Sequence, residues 1–175
     1  METNKILEEN QALLFVISPD NYQTFVKDFA KNYMNKGVSC YITLGRPYQS
    51  LVNNLKKMKV DTDSIFFIDT STRMASMTLS QQDNCLFIES PSALTNLSIA
   101  MNKVVETSDP KYILFDSLST LMIYNPEKVI IKFAKDIINK VRATNTKIVL
   151  LCLDGKDEVN IIEKISMFVD KMEHI

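Results

Sequence analysis

Five acidic residues, Asp20, Asp69, Glu89, Asp116 and Asp154, stand at or just past the ends of short apolar runs. Carboxylates gathered along one edge of a sheet could hold magnesium, which prefers carboxylate and water oxygens. The same placement suits turns and helix caps, where Asp is favoured for its short acceptor side chain. Asp116 is the most distinctive of the five. It closes the run Tyr112-Ile113-Leu114-Phe115 and opens the segment Asp116-Ser117-Leu118-Ser119-Thr120-Leu121. Arg46, in Gly45-Arg46-Pro47, is expected to begin a helix. There it could meet an anion together with that helix's N-terminus, or simply be a solvated turn residue. The hydroxyls of Ser119 and Thr120 are possible phosphorylation sites that nothing in the sequence singles out. Met74, Met77 and Leu79 lie in a polar stretch. They either form an adaptable contact surface or tuck beneath their own loop.

Other chemistry is excluded by scarcity. The single histidine is His174, which removes Ser-His-Asp, Cys-His and histidine–metal arrangements. Cys40, Cys85 and Cys152 are widely spaced within apolar runs. They read as buried, reduced thiols of a cytoplasmic protein, with neither a zinc site nor a disulfide framework. Lys and Arg number 20 against 21 Asp and Glu, for a formal net charge of −1. That balance gives no support for a nucleic-acid partner or an anionic membrane surface. The first residues carry no signal-peptide pattern, and no apolar run approaches the roughly 20 residues that span a bilayer.

Positioning these residues falls to a regular alternation of elements. Leu13–Ile17, Val38–Leu44, Ile65–Asp69, Cys85–Glu89, Tyr112–Asp116 and Lys147–Leu153 are continuous apolar runs. Runs of this kind read as strands buried on both faces of a parallel sheet. Between them lie helical stripes. Tyr22, Phe25, Val26, Phe29, Ala30, Tyr33 and Met34 form the first, with Gly37 as its stop. Val129, Ile130, Phe133, Ala134, Ile137, Ile138 and Val141 form another, after Asn125-Pro126-Glu127. Val159, Ile162, Ile165, Phe168, Val169 and Met172 are expected to form the closing helix. With 175 residues, 46% hydrophobic and 23% charged, and no linker or repeat, the chain reads as one globular domain spanning 1–175. The expected fold is α/β: a three-layer α/β/α sandwich around a mostly parallel sheet, with ligands bound beyond the C-terminal strand ends.

The stretch Phe115-Asp116-Ser117-Leu118-Ser119-Thr120-Leu121 resembles the Walker B region of RecA-superfamily ATPase cores, especially KaiC-like proteins. Ile68-Asp69-Thr70-Ser71 resembles that family's third-strand end. Ser90-Pro91-Ser92-Ala93-Leu94-Thr95-Asn96-Leu97 resembles a segment common in its archaeal members, and Leu153-Asp154-Gly155 fits the final strand. The shared order of elements covers nearly the whole chain. The resemblance implies a RecA-like sheet and, for an active member, Mg-ATP bound near Asp116 and Ser117, with Asp116 toward the metal. It also implies side-by-side assembly, as a homo-oligomer or with an active RecA-like relative.

The departures from that pattern decide the expected function. The turn after the first strand, Ser18-Pro19-Asp20-Asn21-Tyr22-Gln23-Thr24, has neither Gly nor Lys. A Walker A loop needs both, to wrap backbone N–H groups and an ammonium around phosphate. Pro19 removes one donor, and Asp20 sets a negative charge beside the expected phosphate position. The stretch matching the family's catalytic carboxylates is Thr43-Leu44-Gly45-Arg46-Pro47, with no acid. Three lost hydrogen bonds to charged phosphate would cost about 4.5 kcal/mol, or about three powers of ten in affinity. The chain is therefore expected to be a non-enzymatic pseudo-ATPase that needs no cofactor and acts as a regulatory or protein-interaction module, with Asp116 and Ser117 a vestige. The alternative is a nucleotide-binding protein or ATPase with a non-standard site, using Asp116, Asp69 and Arg46 for metal and phosphate. A phosphoacceptor receiver domain would need an acidic pair after the first strand, where only Asp20 stands.

Overall fold

The structure, a computed structural model, describes residues 2–75 and 82–175. Its frame is a seven-stranded sheet made of β1 (Ala12–Ile17), β2 (Ser39–Thr43), β3 (Ile65–Asp69), β4 (Cys85–Phe87), β5 (Tyr112–Asp116), β6 (Lys147–Leu153) and β7 (Lys171–His174). The strand order is β4-β3-β2-β5-β6-β1-β7. Each pairing is parallel. The six continuous apolar runs become β1 to β6, and in β1, β2 and β5 every residue is buried. Burial on both faces leaves no polar face to alternate with, hence the unbroken apolar spelling.

Alternate strand residues feed two cores. Leu13, Phe15 and Ile17 of β1 face one layer, and Leu14 and Val16 face the other. The first layer holds α1 (Glu2–Glu9), α2 (Pro19–Phe29) with a π-helical turn Ala30–Met34, and α3 (Tyr48–Lys57). The second holds α4 (Leu94–Ser108), α5 (Leu118–Tyr124), α6 (Glu127–Arg142) and α7 (Val159–Ser166). This is the expected three-layer sandwich, with the sheet wholly parallel among its described strands.

Local chemistry explains the helix starts. Ser18 alone separates β1 from α2; it is extended, and Pro19 follows as the first helical residue, where its missing N–H costs nothing. The α6 stripe buries Ile130, Phe133, Ala134, Ile137, Ile138 and Val141, as its spacing predicts. Two helices were not anticipated, α1 and α5. Helix α1 is held by the Lys147 ammonium, which donates to the carbonyls of Leu7, Glu8 (2.8 Å) and Asn10 (3.0 Å). A cation at a helix C-terminus satisfies carbonyls that lack intrahelical partners.

The closing helix departs from expectation. It stops at Ser166, and Lys171–His174 become β7, an edge strand paired with β1. Asp170 is the cause. Its Oδ2 accepts the N–H groups of Gln11 (2.9 Å) and Ala12 (2.8 Å), and its Oδ1 accepts Arg142 Nη2 (2.7 Å). Those bonds pin the chain beside the start of β1, so the next residues enter the sheet in register rather than continue the helix. Of the polar stretch with possible contact residues, Met74 is exposed, while Met77 and Leu79 lie outside the described residues.

Burial pushes the Asp170 carboxyl up, but the two amides and Arg142 outweigh it and hold it below its ordinary value. A carboxylate with a depressed pKa stabilises the fold above its unfolded pKa, and that contribution disappears as pH falls through the folded value. Asp170→Ala is therefore expected to cost about 1–3 kcal/mol at neutral pH. The difference from wild type should shrink in denaturant titrations carried below about pH 4.

Candidate functional site

Because the sheet is parallel, Ile17, Thr43, Asp69, Asp116 and Leu153 end on one edge. The chain leaving β1 and β2 turns into α2 and α3 on one face. The chain leaving β5 and β6 turns into α5 and α7 on the other. Since β2 is the neighbour of β5, and β1 of β6, the departing segments part there and leave a crevice. The crevice is a cleft of ≈ 300 Å³, lined by Pro19 and Tyr22 after β1, Gly45 and Arg46 after β2, Asp116, Ser117 and Thr120 after β5, and Leu153 of β6. Arg46, Asp116 and Ser117 are thus brought together.

Asp116 forms the floor, 7% exposed. Tyr22 Oη donates to its Oδ1, and Tyr41 Oη donates to its Oδ2 at 2.6 Å. Strand register explains Tyr41: in the β2–β5 pairing it lies opposite Leu114, while Thr43 lies opposite Asp116. Tyr41 is therefore the diagonal, same-face neighbour of the carboxylate. Tyr22 arrives from the first turn of α2. Its ring lies under the Arg46 guanidinium, 5.4 Å from carbon to centroid, a cation–π contact.

Burial pushes the Asp116 carboxyl above its usual range, opposed by the two phenols and by Arg46. Burial and the adjacent Asp116 charge push both phenols upward as well. At neutral pH the phenols are therefore protonated donors, matched to the acceptor between them. Ser117 caps α5, its Oγ accepting Thr120 N–H at 3.4 Å. The Asp116–Ser117 peptide is cis. Ser119 is buried and accepts the Leu153 N–H at 2.8 Å, so it ties α5 to β6 and is shielded from modification.

The other acids do not converge on this floor. Asp69 is wholly buried; it accepts Tyr48 N–H (2.6 Å) and the Thr72 hydroxyl on one oxygen, and Ser71 and Thr72 N–H (2.5 and 2.9 Å) on the other. Tyr48 is the first residue of α3, so Asp69 caps that helix. This corrects the expectation for Arg46: α3 begins two residues later, with Pro47 as its N-cap, and its N-terminal amide already faces a carboxylate. Glu89 is exposed and takes hydrogen bonds from Asn96 Nδ2 at 3.1 and 3.2 Å. These hold its carboxyl below the ordinary value. Asp20 is exposed in the first turn of α2, and Asp154 is exposed just after β6.

A magnesium ion does not fit the residues present. Both oxygens of Asp116 are engaged by phenols, and no group of three His, Cys, Asp or Glu that could hold a metal occurs among the described residues. Sequence reasoning missed the two tyrosines. In the sequence Tyr22 reads as part of an apolar stripe and Tyr41 as a residue inside the Val38–Leu44 strand. The available signal was the alternation in β2, which puts Tyr41 on the same face as Thr43 and Cys40 on the other.

No protein-family model matches the chain, and no curated protein is similar to it in sequence. Solved structures are similar in fold. A KaiC-like protein of the hyperthermophilic archaeon Pyrococcus horikoshii OT3 superposes with a TM-score of 0.57 at 12% identity, over 82% of this chain and 61% of that one. An uncharacterised Pyrococcus horikoshii protein, solved in complex with an unknown peptide, superposes with a TM-score of 0.65 at 9% identity, over 94% and 77%. The chain thus has a RecA-like α/β/α fold with a KaiC-like protein among its structural neighbours, and spans 61% of that protein's chain.

Tyr41 is wholly buried and Tyr22 half-buried. Tyr41→Phe removes a donor that water cannot replace and is expected to cost about 1–3 kcal/mol, more than Tyr22→Phe. Asp116 carries a raised pKa, so its stabilising contribution is full below the unfolded value and lost as pH rises through the folded one. Asp116→Asn abolishes that titration. Its stability relative to wild type should rise as pH climbs above about 4 in paired denaturation curves.

Proposed function

We propose that this chain is a RecA-like domain of the KaiC-like kind that has ceased to work as an ATPase and serves as a regulatory or protein-interaction module. The observation that carries this reading is the closure of Asp116 between Tyr22 and Tyr41. This carboxylate is buried and already accepts a phenol on each oxygen, so less of its acceptor capacity faces the cleft than a metal-binding carboxylate offers. The β1–α2 turn supports the same reading. A single residue, Ser18, leads into Pro19 and Asp20, leaving no loop to cradle phosphate. The peptide bound to one structural neighbour supports a role in binding other chains. Partners in this reading are a protein, a second copy or an active RecA-like relative. The buried free thiols Cys40, Cys85 and Cys152 suit a cytoplasmic setting. No described helix is long and apolar enough to cross a membrane.

A second reading, nucleotide binding at a non-standard site, draws on one observation: Arg46, Asp116 and Ser117 line a single cleft. Isothermal titration with Mg-ATP separates the two. No heat of binding is expected at ligand concentrations up to about 1 mM, consistent with the loss of about three powers of ten, and no phosphate release is expected. Micromolar binding with turnover would establish the second reading.

A further inference from the structure

We propose that the outer edge of β7 pairs antiparallel with the same edge of a second copy of this chain, across a two-fold axis, joining the two sheets into one. The inference names one partner for the interaction-module reading and rests on that reading. Strand β7 closes the strand order, with β1 on one side and no described strand on the other. In a parallel ladder a residue turns both backbone polar groups to one side, and successive residues alternate. Ile175 turns both inward: its N–H donates to the Val16 carbonyl at 2.9 Å, and its carbonyl accepts the Ser18 N–H at 2.8 Å. Glu173 and Lys171 therefore face β1 as well. The amides and carbonyls of Met172 and His174 face outward, an open row that can template another strand.

Backbone geometry and charge select one register. An antiparallel partner must set outward residues opposite outward residues. A two-fold pairing of this short strand then centres on Lys171, Met172, Glu173 or His174. Centring on Lys171 or Glu173 sets like charges face to face. Centring on His174 opposes two imidazoles and brings no acid to a base. Centring on Met172 sets Lys171 opposite Glu173 of the second copy, and Glu173 opposite its Lys171. Those two positions are then non-hydrogen-bonded pairs, in which Cα atoms approach to about 4.5 Å and side chains meet most closely.

The same charges select the occupant. Within one strand Lys171 Nζ lies 3.1 Å from Glu173 Oε1, with both side chains partly exposed. Two paired copies turn this into a square of alternating charges, each lysine between two acids. Charges on an edge ordinarily repel a second strand. This pair is self-complementary, so it admits its own copy and opposes strands of other charge order. Apolar surface lies alongside. Met172 packs on the core and would meet its own copy at the axis. Met167, 72% exposed just past α7, and Ile175, 39% exposed, flank the strand in the chain.

Sedimentation equilibrium of the full chain should show a reversible monomer–dimer equilibrium. By symmetry Lys171→Glu alone, or Glu173→Lys alone, turns both opposite-charge contacts into like-charge contacts. Each should raise the dimer dissociation constant about tenfold or more. Mixing the two single variants should restore association as a heterodimer, and a chain carrying both exchanges should dimerise like wild type. Met172→Pro deletes an outward N–H and no ladder bond to β1, so it should leave a folded monomer by circular dichroism. A chain monomeric up to about 1 mM, a dimer indifferent to both reversals, or single variants that fail to combine would overturn the proposal. Mg-ATP binding with turnover would defeat the functional reading while the dimer persists. A monomer that ignores Mg-ATP would remove this inference alone.

Discussion

A carboxylate buried at the end of a central strand has to be satisfied from inside the protein, because water cannot reach both of its oxygens. Asp116 sits where the segments leaving the central strands part, on the floor of the cleft at the strand edge. In that position a carboxylate can be left accessible to a cation or sealed by donors. This chain seals it with one phenol from the neighbouring strand and one from the first turn of α2. The second donor constrains its whole surroundings. Tyr22 reaches Asp116 because α2 starts one residue after β1, and Arg46 then lies over its ring.

The layers were legible from the sequence because burial on both sheet faces erases alternation, and β1 through β6 spell it out directly. The helices α2 and α6 declared themselves through one-sided apolar spacing. What escaped was set by distant partners. The apolar positions Phe168, Val169 and Met172 continue a helical period, yet Asp170 finds its hydrogen bonds at Gln11 and Ala12 and redirects the chain into β7. Helix α1 depends on Lys147. At the candidate site, Asp116 and Ser117 stood out by motif and Arg46 by charge, and all three do line the cleft. Arg46 was misplaced relative to α3 because Asp69 captures that helix's first amide from another strand. Tyr22 and Tyr41 were hidden because a tyrosine in an apolar run looks the same whether or not its hydroxyl has a task.

The structural neighbours place these features in proportion. At 9% and 12% identity almost no side chain is shared, and what survives is the path of the chain through three layers. Such a fold is compatible with many uses of its edge and its outer helices. The local chemistry of Asp116, and the alternating charges of β7, are properties of this sequence rather than of the architecture.

Strand β1 lies between β6 and β7, which come much later in the chain: Ala12 pairs with Ile148, and Leu13 with Lys171. On a ribosome, the apolar run Leu13–Ile17 therefore emerges long before either of its flanks. Contacts this remote in sequence form slowly and leave sticky surface uncovered meanwhile.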